Sequence, residues 1–200
     1  MPDWEALYQQ GDTGWDRGEV SPALRHYLEA GVFEGVKSVL VPGCGRGYEV
    51  VELAKRGFDV TALDLAPSAI TYLQQALKDT GVQAETVCTD MFSYDKPQAF
   101  DIVYEQTCLC AIEPAQRQAY ADVVYDWLKP SGKLLLNMMQ TGEAGGPPFH
   151  CDFMEMKALF SSDKWIWQEQ PPLMIPRGKG RVSPRFELGY VLEKKEVSHA

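Results

Sequence analysis

The stretch that most constrains this chain is Lys37-Ser-Val-Leu-Val-Pro-Gly-Cys-Gly-Arg-Gly47. Its apolar run, Val39-Leu40-Val41, reads as a short buried strand that runs into glycines at 43, 45 and 47. Behind them Val50, Val51, Leu53 and Ala54 recur at helical spacing. The pattern is strand, tight glycine turn, helix. Glycine is needed where the backbone takes unusual dihedrals or lets a ligand lie against it. The helix N-terminus adds N–H groups pointing at whatever sits above the turn. A second apolar strand, Asp59-Val-Thr-Ala-Leu-Asp64, ends in an acid about 20 residues past the first glycines, where a carboxylate reaches ribose hydroxyls.

Spacing separates the nucleotide ligands that such a unit can hold. A dinucleotide fingerprint beginning at Gly43 and Gly45 wants its third glycine at position 48, and position 48 is Tyr. The shorter Gly-x-Gly-x-Gly form, with no pyrophosphate to cradle, suits S-adenosyl-L-methionine (SAM) better than NAD. A ligand-free turn that merely needs glycines is the plainer alternative. The strand-end acid inside the same βαβ unit weighs against it.

The 200 residues, 45% of them hydrophobic, are enough for one domain with a full core. A net charge of −9 argues against a nucleic-acid backbone as partner, because phosphate binding needs a basic face. No run of about 18 apolar residues is present, so no membrane span is expected. The acidic start, Met1-Pro-Asp-Trp-Glu, lacks a signal-peptide core. Five irregularly spaced cysteines (44, 88, 108, 110 and 151) read as reduced thiols in a cytoplasmic protein. Cys108-x-Cys110 is too short for a usual zinc knuckle and has no His partner, so no metal site is expected.

Taken in order, residues 3–10 read as a short helix capped by Asp3, and Ser21-Pro22 opens a second helix. Trp4, Tyr8 and Trp15 precede the first strand. Their spacing admits two roles, a flap over the sheet edge or a lid whose ring faces hold a sulfonium cation and exclude water. Strand 37–42, helix 47–56, strand 59–64 and helix 67–79 alternate strictly, with Gly81 just past the last helix. A strand over 84–90 brings Asp90 and Met91 to the C-terminal mouth, where ligands of open parallel sheets bind. A carboxylate there can take an adenine amino group, and a solvated loop aspartate is the equal alternative. Strand 99–105 is followed by an amphipathic helix over 115–128 with Tyr120, Val123, Val124 and Trp127 inward. Residues 128–132 read as a turn and 133–139 as a fifth strand. Helix 152–160 and strands 163–169 and 185–193 complete the chain. The expected fold is α/β, a seven-stranded, mainly parallel sheet with one antiparallel strand and helices on both faces.

Three motifs carry a resemblance: Val41-Pro-Gly-Cys-Gly-Arg-Gly, Cys110-Ala-Ile-Glu-Pro with Arg117 after it, and Glu143-Ala-Gly-Gly-Pro-Pro. With them the chain resembles the thiopurine methyltransferase superfamily, most closely its branch of thiol/halide/thiocyanate methyltransferases. The N-terminal Trp4-Glu, Tyr8 and Gly14-Trp15-Asp, and the basic Ile175-Pro-Arg-Gly-Lys-Gly segment, also fit. The resemblance runs nearly the full length and implies a Rossmann-like class I SAM-dependent methyltransferase fold. Residues 1–200 then form a single domain, with residues 1–30 a helical lid over the cofactor. It further implies that Trp4, Tyr8 and Trp15 close over SAM. Gly43, Cys44 and Gly45 pass under the methionine moiety, Asp64 takes the ribose, Asp90 with Met91 takes the adenine, and Leu65 is a further cofactor-binding residue. Gln106 falls where family members place a cofactor-contacting side chain, often Tyr or Arg. The plant branch carries a tyrosine near the methyl group at the end of the fifth strand. Here the residues are Asn137-Met138-Met139, which favours a larger, softer or more apolar acceptor than a plant-like halide or thiocyanate.

Methyl transfer to thiolate, hydrosulfide, halide or thiocyanate needs no strong base, because the nucleophile arrives anionic. Positioning and exclusion of water do most of the catalysis. The expected activity is therefore SAM-dependent S-methylation of a small anionic or thiol substrate by a monomer, with S-adenosyl-L-homocysteine (SAH) as product. Met138, Met139, Phe149 and Arg177 are the expected substrate-positioning residues. His150 reads as a loop histidine, and Glu113 and Arg117 as a helix cap and ion pair or, equally, as substrate contacts. Arg177, Lys179 and Arg181 form a basic loop expected to draw in an anion, an effect that salt would weaken. Alternatives are a larger aromatic thiol or metalloid oxyanion as acceptor, an NAD-dependent oxidoreductase, and a non-catalytic SAM-binding module. Tyr48, and the lack of a paired Tyr/Lys motif, weigh against NAD chemistry.

Overall fold

The computed structural model describes residues 2–176 and 185–196. The chain divides into two compact units, Met1–Tyr94 and Asp95–Ala200. In the first, α1 (Trp4–Gln10) and α2 (Pro22–Glu29) precede β1 (Ser38–Pro42), α3 (Tyr48–Lys55), β2 (Asp59–Asp64), α4 (Pro67–Thr80) and β3 (Glu85–Cys88). Strand β2 lies between β1 and β3, parallel to both. Val39, Leu40 and Val41 of β1, and Val60, Ala62 and Leu63 of β2, are all buried. Such unbroken apolar runs are what a parallel sheet covered on both faces requires.

The helix ends follow local chemistry. The Asp3 carboxylate accepts the Ala6 N–H at 3.0 Å, and the Ser21 hydroxyl accepts the Ala23 N–H at 3.2 Å. Helix α4 ends in Gly81 at φ +69, a left-handed cap that costs glycine little. Gly47, at φ +75, starts α3, and a Cβ there would lie 2.3 Å from Leu73 Cδ1 of α4. The close seating of α3 on α4 thus needs glycine at that position.

The second unit holds β4 (Phe100–Gln106), α5 (Arg117–Trp127), β5 (Leu128–Gln140), α6 (Phe153–Leu159), β6 (Trp165–Trp167), β7 (Leu173–Pro176) and β8 (Phe186–Lys194). Strand β5 runs parallel to β4 and antiparallel to β8. Both β6 and β7 pair antiparallel with β8, at its later and earlier halves respectively. Among the described residues of this unit β8 is the one strand that runs against the others, as the sequence pattern predicts. Among the described residues the strands number eight, one more than expected. The additional strand, β7, is short and bracketed by Pro171-Pro172 and Pro176, which mask its apolar pattern.

Strand β5 also starts earlier than expected. Leu128 pairs with Phe100, the register then shifts, and pairing resumes at Lys133 with Ile102. The turn expected over 128–132 is thus an irregularity inside a strand, marked by Ser131 at φ +58. In α5 the inward residues are Arg117, Tyr120, Ala121, Val124 and Trp127, with Val123 only half-buried. Lys194 closes the C-terminal end of α5, donating to the Tyr125 and Leu128 carbonyls at 2.7 and 2.8 Å. All five cysteines are free thiols. Among the described residues no helix is long and apolar enough to cross a membrane.

Gly47→Ala should lower unfolding stability by about 2–4 kcal/mol. A left-handed non-glycine costs roughly 1 kcal/mol and overpacking against Leu73 adds about 1–3. Denaturant unfolding checks this, and a loss below about 1 kcal/mol would show that Leu73 repacks freely.

Candidate functional site

Gly43, Gly45 and Gly47 take φ values of +59, +55 and +75, so the turn leaving β1 alternates through left-handed positions. Its backbone donors fasten it to β2. The Cys44 N–H reaches the Leu63 carbonyl, and the Gly45 N–H reaches Asp64 Oδ2, both at 2.8 Å. The other Asp64 oxygen accepts the Ala66 N–H at 2.9 Å, and its carbonyl accepts the Thr89 N–H at 3.0 Å. One residue therefore gathers the exits of β1, β2 and β3. Burial pushes the Asp64 carboxyl above its usual range, against the downward pull of the Ala66 and Gly45 N–H groups.

The three N-terminal aromatics meet on this turn. Trp15 meets Trp4 and Tyr8 edge to face, with ring centroids 5.3 and 5.5 Å away. Trp15 Nε1 lies 3.4 Å from the Tyr8 hydroxyl, and Tyr8 packs on Ala66 and Ala69. A Cβ on Gly45 would come within 3.1 Å of that hydroxyl, so the ring system rests against the glycine turn. Burial and the nearby Asp64 push the Tyr8 hydroxyl well above its usual range and keep it protonated. Asp16 adds a polar fastening, an ion pair with Arg46 Nε at 3.1 Å and a contact with the Tyr48 hydroxyl at 3.4 Å. The Arg46 guanidinium also lies 4.8 Å from the Tyr72 ring centroid.

Beyond Asp64, Leu65 is 50% exposed although it continues an apolar strand. Cys88 Sγ lies 3.7 Å from the Leu65 carbonyl, which places the end of β3 beside it. Asp90 then caps the short 3-10 turn Met91–Ser93 by accepting the Phe92 N–H at 3.0 Å. An uncovered leucine near a carboxylate fits a flat ring with a polar edge, as adenine has. A left-handed glycine turn beside three clustered aromatic rings fits the sulfonium end, which ring faces attract. The residues of the first unit thus fit SAM.

In the second unit the structure surrounds the expected Gln106 with two buried acids, Glu105 and Glu187, that sequence reasoning did not single out. Glu105 is fully buried at the end of β4. Its Oε1 accepts the Cys108 and Leu109 N–H groups at 3.0 and 2.7 Å, and its Oε2 accepts the Asn137 N–H at 3.2 Å. Burial raises its carboxyl from 4.5 to about 7, with Glu187 adding repulsion and the three N–H groups opposing. Gln106 receives the Tyr104 hydroxyl on Oε1 and donates Nε2 to the buried Glu187 at 3.1 Å. The signal available in the sequence was an acid inside an apolar strand, Val103-Tyr-Glu105, which predicts a buried carboxylate that needs donors.

Met138 and Met139 are both buried, but as strand neighbours they project from opposite faces of the sheet. The half-buried Phe149 donates its N–H to the Cys110 carbonyl at 2.7 Å. His150 Nδ1 accepts the Thr141 and Gly142 N–H groups at 3.1 and 3.3 Å, which makes it the loop histidine expected. Arg117 donates to the His150 carbonyl at 3.0 Å and lies 3.9 Å from Glu155. Arg177, Lys179 and Arg181 lie outside the described residues.

The profile of the thiopurine S-methyltransferase (TPMT) family matches residues 1–175. The chain belongs to that family. Thiocyanate methyltransferase 1 of Arabidopsis thaliana is 32% identical over 184 residues, covering 89% of this chain and 80% of that protein. The thiopurine S-methyltransferase of Xanthomonas campestris pv. campestris (strain 8004) is 32% identical over 186 residues, covering 83% of this chain and 84% of that one. N-methyltransferase NodS from Bradyrhizobium japonicum WM9, solved with SAH, superposes with a TM-score of 0.77 at 17% identity, covering 98% and 100% of the two chains. Its fold is that of the class I SAM methyltransferases. The chain is a SAM-dependent S-methyltransferase.

Glu105 has a consequence that pH exposes. The folded protein holds its proton to higher pH than the unfolded chain, so its contribution to stability falls as pH rises from 4.5 to about 7. In Glu105→Gln that fall, up to about 3 kcal/mol by linkage, should vanish. Denaturant midpoints across that window check it, and equal slopes for the two proteins would contradict it.

Proposed function

We propose that this methyltransferase moves the methyl group of SAM to a small soft nucleophile: a thiol, hydrosulfide, halide or thiocyanate. When bound, SAM supplies an electrophilic methyl group on a sulfonium. Trp4, Tyr8 and Trp15 close over it and exclude water, and the Gly43–Gly45 turn carries its methionine moiety. Asp64 takes the ribose hydroxyls by exchanging a backbone donor for them, and Leu65, Asp90 and Met91 take the adenine. In the second unit the Gln106 amide is oriented by Tyr104 and Glu187.

The observation that carries the acceptor class is the state of the candidate bases. His150 Nδ1 is committed to two backbone N–H groups, and Glu105 to three. A nucleophile that arrives anionic needs neither, so positioning and desolvation suffice. The similarity to a thiocyanate methyltransferase supports the same class. Five free thiols fit a reducing compartment, and we place the protein in the cytoplasm.

Headspace gas chromatography with SAM and, separately, hydrosulfide, methanethiol, thiocyanate and iodide tests this. Volatile methylated products are expected from several of the four. For thiols the rate should rise with pH along the acceptor's own ionisation, and for thiocyanate and iodide it should stay flat. Turnover of an aromatic thiol such as 6-mercaptopurine, with none of the small nucleophiles, would overturn the acceptor assignment.

A further inference from the structure

Helix α4 begins without a cap of its own. Its N-cap position is Ala66, which has no side chain to accept a backbone donor. The acceptor comes from α1 instead. Glu5 Oε2 accepts the Ser68 N–H at 2.9 Å, Glu5 Oε1 accepts the Ser68 hydroxyl at 2.7 Å, and Gln9 Nε2 steadies the same carboxylate at 2.8 Å. Two residues earlier, the Ala66 N–H goes to Asp64. The first turn of α4 is therefore shared between two carboxylates, Asp64 of the glycine-turn frame and Glu5 of the aromatic-bearing helix. Glu5 lies between Trp4 and Tyr8 in sequence, and Tyr8 packs on Ala66 and Ala69 of the same turn.

We propose that Glu5 is a positioning residue that docks α1 onto α4 and so holds the aromatic residues over the bound cofactor. The inference rests on the reading of Trp4, Tyr8 and Trp15 as the cofactor's cover. A negative charge at a helix N-terminus is stabilising, and here that stabilisation is available only while α1 is docked. Withdrawal of α1 uncovers the cofactor and at the same time leaves the Ser68 donors without their acceptor. Docking and helix capping are one event, which sets how long product SAH stays enclosed. The Ser68 N–H and hydroxyl hold the Glu5 carboxyl below its usual range, so the latch stays charged across the physiological range.

The test compares SAH release, followed by tryptophan fluorescence in stopped flow, with thermal stability of the ligand-free protein. Glu5→Ala should release SAH about tenfold faster, raise the KM for SAM by a similar factor and lower Tm, as expected for loss of charge-assisted hydrogen bonds. Glu5→Ala/Ser68→Asp gives α4 its own first-turn carboxylate, so Tm should recover while release stays fast. Glu5→Gln keeps one oxygen for Ser68 but loses the charge, so its release should fall between those of wild type and Glu5→Ala. Slow release in the double variant would overturn the proposal, leaving Glu5 a helix cap only. Trp15→Ala separates the two levels. Fast release in Trp15→Ala with normal release in Glu5→Ala would sink the latch and spare the aromatic cover. Normal release in both would sink the cover itself, and the latch with it.

Discussion

The first unit depends on a single carboxylate. Asp64 accepts the Gly45 N–H with one oxygen and the Ala66 N–H with the other, while its carbonyl takes the Thr89 N–H. Parallel strands leave their C-terminal ends as open loops, and without cross-ties three such loops would move independently. Here one buried side chain joins the glycine turn, the start of α4 and the exit of β3. The arrangement burdens that side chain, since burial raises the Asp64 carboxyl and only the surrounding N–H groups oppose it. Ribose hydroxyls are donors of the same kind, so a ligand can take the place of a backbone N–H at little electrostatic cost.

The second unit repeats the device with different residues. Glu105 gathers the Cys108 and Leu109 N–H groups after β4 and the Asn137 N–H of β5. His150 does the same for Thr141 and Gly142 with a ring nitrogen. Loops that leave strand ends carry backbone donors that water would otherwise satisfy, and burial makes an unpaired donor expensive. Side chains capable of acid–base chemistry are thus spent on holding loops.

The fold was legible because its signals are local. Strand β2 lies where the alternation of apolar segments predicts it, and the caps at Asp3, Ser21 and Gly81 are where their residue types predict them. What escaped was non-local. Strand β7 hides between prolines and exists because β8 offers it an edge. The start of β5 reads as a turn because Pro130-Ser-Gly132 are turn residues, yet Leu128 still finds Phe100. In the candidate site, the glycines and Asp64 were readable from spacing. Neither Glu5 nor Glu105 was, since each acquires its role from donors distant in sequence or folded back over it. The absence of a polar residue at Ala66, ahead of a proline-started helix, was the one clue that α4 is capped from elsewhere.

In the proposed function, the Gly43–Asp64 frame with Trp4, Tyr8 and Trp15 holds an adenosyl sulfonium and no dinucleotide. Isothermal titration of the protein with SAH and, in parallel, with NAD measures this most directly. Saturable heat at one SAH per chain, with none for NAD, is the predicted result. Heat with NAD and none with SAH would contradict a SAM site at the glycine turn.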